Sequence, residues 1–159
     1  MRTVLQRVER AEVRVDGESV GAIAHGLLLL VAIERGDTLD DVAASVAKIA
    51  RLRCFPGRTP MDRTVAEVGG GCLVVSQFTL AADLARGNRP SFDRAERPER
   101  AVELVDAFVA GLQREGIPVA TGRFGASMAV ELVNDGPVTF VVEVFEGRVR
   151  SAAPPEEPT

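Results

Sequence analysis

Glu131-Leu132-Val133-Asn134-Asp135-Gly136-Pro137-Val138-Thr139-Phe140 is the stretch from which the fold is read. Apolar and β-branched residues stand on both sides of Asn-Asp-Gly-Pro, which predicts two strands flanking a sharp backbone feature. Proline brings no N–H, and an X–Pro bond prefers trans by only about 0.5–1 kcal/mol, so a fold can hold it cis. Glycine leaves the neighbouring carbonyls uncovered by any side chain. Two readings stay open for this step. It presents bare backbone acceptors to a ligand or a second subunit, or it is an ordinary turn or edge-strand proline.

Working outward, Val4, Val8, Val13 and Val15 predict opening strands, with Asp16-Gly17 as a hairpin turn before Val20 to Ala24. The run Leu27-Leu28-Leu29-Leu30-Val31-Ala32-Ile33 reads as a central strand buried on both faces. Thr38 and Asp41 resemble a capping box, and Val42, Val46 and Ile49 recur at helical spacing, so a helix is expected over about 39–52. Pro56, Gly57 and Pro60 make Cys54 to Val68 a loop. Leu73-Val74-Val75 begins a buried strand expected to run through Ser76-Gln77-Phe78-Thr79-Leu80. After an irregular polar stretch, Ala101, Leu104, Val105, Phe108 and Leu112 give a helix with one apolar face, started at Pro98 and ended at Gly116. Further strands are read at Val119 to Gly122, Met128 to Val133 and Val138 to Val144. These elements predict an α+β fold of layered, largely antiparallel sheets with two main helices packed on one side. One domain is expected over 1–145, followed by a disordered tail over 146–159, whose last nine residues hold three prolines and two glutamates.

The chain has 159 residues, 46% of them hydrophobic, enough for one sizeable core. A formal net charge of −4 rules out an overall basic field that gathers nucleic acid or anionic membrane, so any RNA contact has to be local. Cys54 and Cys72 fit no CxxC spacing and His25 is the sole histidine, which leaves too few ligands for a zinc site. No metal and no cofactor are expected. The cysteines read as buried thiols in a reducing cytosol, and no apolar run is long enough to span a membrane. A cytoplasmic protein with no membrane partner is expected.

Three stretches can carry chemistry. Ser76-Gln77-Phe78-Thr79 stands at a strand end, where a hydroxyl can attack an acyl carbon and successive N–H groups can stabilise an oxyanion. No base accompanies them in a recognisable motif, and a hydrogen-bonded strand end is the plainer account. Gly87-Asn88-Arg89-Pro90-Ser91-Phe92 can meet a phosphate or nucleobase, or be a solvated loop. Thr121-Gly122-Arg123-Phe124-Gly125-Ala126-Ser127-Met128 offers glycine backbone beside Phe124 and Met128, suited to a small-molecule pocket or to core packing.

In this order these motifs resemble the D-aminoacyl-tRNA deacylase family. The likeness runs from Met1 to about Glu143 and rests on Gln6-Arg7-Val8, the Val20-Gly21 to Gly26-Leu27-Leu28 region, Lys48-Ile49 to Leu52-Arg53, Ser76-Gln77-Phe78-Thr79-Leu80, Arg89-Pro90-Ser91-Phe92, Thr121-Gly122 with Phe124-Gly125-Ala126, and Asn134-Asp135-Gly136-Pro137-Val138-Thr139. It implies a homodimer that hydrolyses the ester joining a D-amino acid, or glycine, to the 3′-terminal adenosine of tRNA. It further implies that Gly136-Pro137 is cis and enters the partner's site to test handedness, with Arg7 holding its orientation. By the same likeness Ser76, Gln77, Phe78 and Thr79 form the catalytic segment, Phe78 and Thr79 through backbone amides. Phe124, Gly125 and Met128 line the adenosine and aminoacyl pocket. Two departures stand out: Ser127 occupies a position expected to be acidic, and the loop Arg58 to Arg63 is unusual. Thr79 as direct nucleophile and water assisted by the ribose 2′-hydroxyl are alternative routes. A tRNA-binding module without hydrolysis and an esterase for small acyl groups are the competing functions.

Overall fold

The apolar run after Gly26 forms β3 (Gly26–Ala32), on which the sheet is laid out. It pairs antiparallel with β1 (Arg2–Val15) and parallel with β4 (Gly71–Ser76). Successive side chains leave a strand on opposite faces. Leu27, Leu29 and Val31 accordingly enter one apolar cluster with Cys72 and Val74 of β4, while Leu28 enters a second with Leu73 and Val75. A strand covered on both faces has no polar alternation, which is why this stretch is continuously apolar.

The computed structural model describes residues 1–150. The remaining elements are β2 (Glu18–Ile23), α1 (Leu39–Arg51), a 3₁₀ turn (Phe78–Ala81), α2 (Pro98–Arg114), β5 (Val119–Thr121), β6 (Ala129–Phe145) and β7 (Arg148–Val149). Together they make a mixed α/β fold with a curled sheet in the order β5-β4-β3-β1-β6-β7, β2 pairing β1. The sheet is mixed because β3, β4 and β5 run parallel, and their crossovers carry the helices. Asp16 and Gly17, both at positive φ, close the β1–β2 hairpin as the Asp-Gly pair predicts. Buried residues of α1 and α2 join the cluster that contains Phe55 and Phe108, and no helix residue belongs to the second. Thr38 and Asp41 form the expected capping box, and Pro98 opens α2.

Three expectations are corrected. The strand from Leu73 ends at Ser76 instead of reaching Leu80, because Gln77 (φ −141°, ψ 71°) bends the chain into the 3₁₀ turn. The two strands expected around Asn-Asp-Gly-Pro are one strand, β6, with the corner inside it. The tail does not begin at 146: Glu146 and Gly147, at positive φ, turn the chain into β7 on β6. The Gly147 N–H donates to Asp41 Oδ1 at 2.9 Å, tying this turn to the start of α1. Burial opposes ionisation of Asp41, but the N–H groups of Gly147 and Thr38 outweigh it and hold its carboxyl below the usual range. The rest of the expected tail, 151–159, lies outside the described residues.

Candidate active site

Parallel strands leave a crevice beyond their carboxyl ends, where open sheets commonly bind ligands. Here β3 leads into Ile33 and β4 into Ser76, and both residues border a cavity of about 580 Å³. The chain between the 3₁₀ turn and α2 is stitched across its mouth, the Arg35 N–H donating to Arg94 O and the Glu96 N–H to Ile33 O. Phe92 is thereby brought edge-on to Phe78, with ring centroids 5.1 Å apart. Phe124, Gly125 and Met128 close the opposite wall. Three of the four expected catalytic residues, Ser76, Gln77 and Phe78, thus share one cavity with all three expected substrate-binding residues.

Thr79 is exposed and is not on the cavity wall; its hydroxyl oxygen accepts a hydrogen bond from Gln77 Nε2. The opening N–H groups of a helical turn have no acceptor within it. Leu80 is the first residue of the 3₁₀ turn with an assigned main-chain bond, to Gln77 O at 3.2 Å. The N–H groups of Phe78 and Thr79 precede that bond. Phe78 and Phe124, 56% and 37% exposed, stand open to an incoming ring. Ile33, Pro98, Ala101 and Val130, which the sequence places in strands or a helix with no sign of a site, also line the cavity. Their apolar periodicity is the same whether the neighbour is another side chain or an empty cleft, so no local signal marks them.

The Gly136-Pro137 corner lies elsewhere in the chain's fold and does not line this cavity. Its peptide bond is cis and both residues are exposed. The register explains the projection: β1 advances from Gln6 to Val8 while β6 runs from Thr139 to Asn134, so the surplus residues of β6 are pushed out of the ladder. Two side chains hold them. Arg7 Nε donates to Asp135 O at 2.9 Å and lies 3.1 Å from Asp135 Oδ2, while its Nη1 donates to Cys54 O at 2.6 Å. Asn134 Nδ2 donates to Arg7 O and Val138 O, at 2.9 and 3.1 Å, bracing the corner from both sides. Asn134 went unassigned in the sequence, although Asn before a turn is a residue that bonds its own backbone neighbours.

His25 stands on the corner's side of the molecule, 3.6 Å from Asp135 Oδ2 and edge-on to Phe55, away from the hydroxyls it would have to serve as a base. Burial pushes the Cys54 thiol up to about 11 and the Cys72 thiol to about 12, so both stay protonated and inert near neutrality. No helix among the described residues is long and apolar enough to cross a membrane.

A mixed sheet whose parallel strands open into a cleft lined by Phe78, Phe92 and Phe124 defines the class: an α/β protein with an open, largely apolar cavity at the carboxyl ends of its parallel strands. Over residues 4–143 the chain matches the family described as D-Tyr-tRNA(Tyr) deacylase. A Chloroflexus aurantiacus protein named D-aminoacyl-tRNA deacylase is 53% identical to it over 150 residues, 94% of each chain. One of the same name from Methylococcus capsulatus is 55% identical over 143 residues, 89% of this chain and 94% of its own. Among solved structures, the c-Myc DNA Unwinding Element Binding Protein aligns with a TM-score of 0.84 at 37% identity, covering 90% of this chain and 98% of that one. A structure described as a probable eukaryotic D-amino acid tRNA deacylase aligns with a TM-score of 0.76 and 17% identity, over 88% and 97% of the two chains, which speaks for the fold alone. The chain belongs to the D-aminoacyl-tRNA deacylase family.

Proposed function

We propose that this family member works in the cytoplasm as a homodimer that releases D-amino acids, or mischarged glycine, from tRNA, and that each chain screens substrate handedness in its partner's cavity. The deacylase activity follows from the family. The observation that carries the site assignment is the convergence of Ser76, Gln77 and Phe78 with Phe124, Gly125 and Met128 on one cavity. The aromatic walls take the terminal adenine, and the rim takes the ester.

Water attacks the ester carbon, assisted by the substrate's own ribose 2′-hydroxyl. Negative charge gathers on the carbonyl oxygen, where the N–H groups of Phe78 and Thr79 donate to it. Collapse breaks the bond to the ribose 3′-oxygen, which leaves with the proton, giving free amino acid and tRNA. Direct attack by Thr79 is disfavoured by its position off the cavity wall. Gln77 orients the Thr79 hydroxyl and so keeps the turn in register.

Handedness is read by main chain. A wall of peptide atoms accepts an α-hydrogen and collides with any side chain in its place, whatever that side chain is, so it rejects L substrates without preferring one amino acid. The corner at Gly136-Pro137 is exposed, braced, and outside its own chain's cavity, which fits delivery to a second copy. Outside its short pairing with β7, the outer edge of β6 is unpaired among the described residues, and Phe140, Val141 and Phe145 on it are exposed, an arrangement suited to contact with another chain.

Incubation with D-aminoacyl-tRNA, its L counterpart and a simple ester separates the alternatives. Fast release from the D form alone is expected. Binding without release would make the protein a capture module, and cleavage of the simple ester would make it a general esterase.

A further inference from the structure

We propose that Lys48, Arg51, Arg53, Arg58 and Arg63 form a phosphate-binding strip for the body of the tRNA, and that the strip serves the partner's cavity because it adjoins the Gly136-Pro137 corner of its own chain. The inference rests on the deacylase reading and deepens it. Two shallow grooves share Arg53: one is lined by Lys48, Arg51 and Arg53, the other by Arg53, Arg58 and Arg63 together with the carboxylates of Asp62 and Glu67, so cations outnumber anions across the pair by five to two. All five cations are exposed.

The charge pattern is unusual for this molecule. The whole chain is formally −4, yet between Lys48 and Arg63 the only acidic residue is Asp62, whose carboxylate closes the loop by accepting the Arg58 N–H at 2.7 Å. None of the five strip cations forms a direct ion pair among the described residues, unlike Arg2, Arg7, Arg10, Arg14, Arg94 and Arg100, although Glu67 in the second groove feels the charge of Arg53. Favourable interaction with the C-terminal dipole of α1 accounts for Lys48 and Arg51 in its last turn. It does not account for Arg53, Arg58 and Arg63, which lie beyond the helix. The loop is also shaped from within, Arg63 Nε donating to Pro56 O at 2.8 Å and the Phe55 and Arg63 backbones forming a bridge. The loop backbone and the Arg63 side chain are thus held, and the strip presents a row of exposed cations suited to a polyanion.

Its location gives it a role. Arg7 joins Cys54 O to Asp135 O, so one guanidinium fastens the base of the loop to the corner. A corner inserted into a partner's cavity carries the strip with it to that cavity's mouth, where the tRNA must leave once its terminal adenosine is seated. Phosphates there displace counterions, which makes binding depend on salt.

The test uses the full chain with Arg53, Arg58 and Arg63 changed together to Gln. With D-aminoacyl-tRNA, KM is expected to rise about 10- to 100-fold at moderate salt while kcat changes by less than about threefold, and the slope of log affinity against log salt to flatten by about two. A minimal substrate, a D-aminoacyl ester of adenosine, should be cleaved as by the wild type. Unchanged KM and salt slope on tRNA overturn the strip, as does an equal loss on both substrates. A wild-type chain that cleaves neither substrate overturns the deacylase reading itself. Mixed dimers test the partner arrangement, using a cavity-blocked Ala126→Trp chain. Placing the triple change and the block on the same chain should leave the remaining cavity with a raised KM, and splitting them between chains should restore it. The reverse pattern places the strip in the service of its own cavity and overturns the partner arrangement.

Discussion

The cavity below Ser76 is walled by side chains from four separated segments, whereas the Gly136-Pro137 corner is main chain from a single segment held by the side chains of Arg7 and Asn134. The first is concave and largely apolar; the second is convex and offers peptide groups. A cleft assembled from many side chains loses function gradually as each is trimmed. A corner held by two braces has few ways to change and loses its shape at once.

That contrast is broken most severely by Gly136→Ala. A methyl there would run into Val138 N and lie 2.7 Å from Asn134 Oδ1, so the brace and the residue cannot share the space. Deacylation of D-aminoacyl-tRNA should fall about 100-fold, about 2.7 kcal/mol of barrier, in single-turnover assays. A wild-type rate would remove the corner from the working site. Arg7→Leu comes next. It strips the Asp135 and Cys54 carbonyls of their donor, and leaving such groups unsatisfied costs about 1–3 kcal/mol, measurable by urea unfolding. The ratio of D to L cleavage should narrow in the same variant.

On the cavity side the effects are smaller. Phe124→Ala removes one ring from a wall that keeps others, so KM should rise about tenfold, about 1.4 kcal/mol, with kcat little altered. Thr79→Val keeps the peptide N–H and loses only the hydroxyl; activity should stay within about fivefold, about 1 kcal/mol. A complete loss would restore the hydroxyl as nucleophile. Asp41→Asn touches neither region and serves to separate general loosening from local damage. Because the folded carboxyl titrates below its ordinary value, its contribution is present at neutral pH and is lost as pH falls through about 4 toward the folded value. Wild type and variant should therefore differ by about 1 kcal/mol in stability at pH 7 and converge as the pH falls below the folded carboxyl's own value, with activity at pH 7 unchanged.

What the sequence made legible follows from how local each signal is. The unbroken apolar run of β3, the capping residues of α1 and Pro98 at the head of α2 are short-range statements, and the structure bears them out. Phe78-Thr79-Leu80 read as strand because alternation cannot reveal that Gln77 turns the backbone. The bulge that expels Asp135 to Val138 depends on how β1 and β6 count past each other, and neither segment shows this alone. Gly147 reads as the start of a loose end until Asp41, far away in the chain, is seen to accept its N–H. The cavity was legible only as separate motifs, since the pairing that brings Phe92 and Phe124 toward Ser76 is long-range. The loop at 58–63 stands out in the sequence as unusual, and the link between its base at Cys54 and the corner, made by Arg7, is long-range and invisible there.

Arg7 therefore has a mechanical consequence. One guanidinium spans two stretches of chain that share no ladder, so displacement of either bears on the other through a single side chain. A cargo tugging on the loop would seat or unseat the corner by the same stroke. Under the proposed function, grip and inspection then become one motion, and a macromolecule held in the wrong orientation would escape examination altogether.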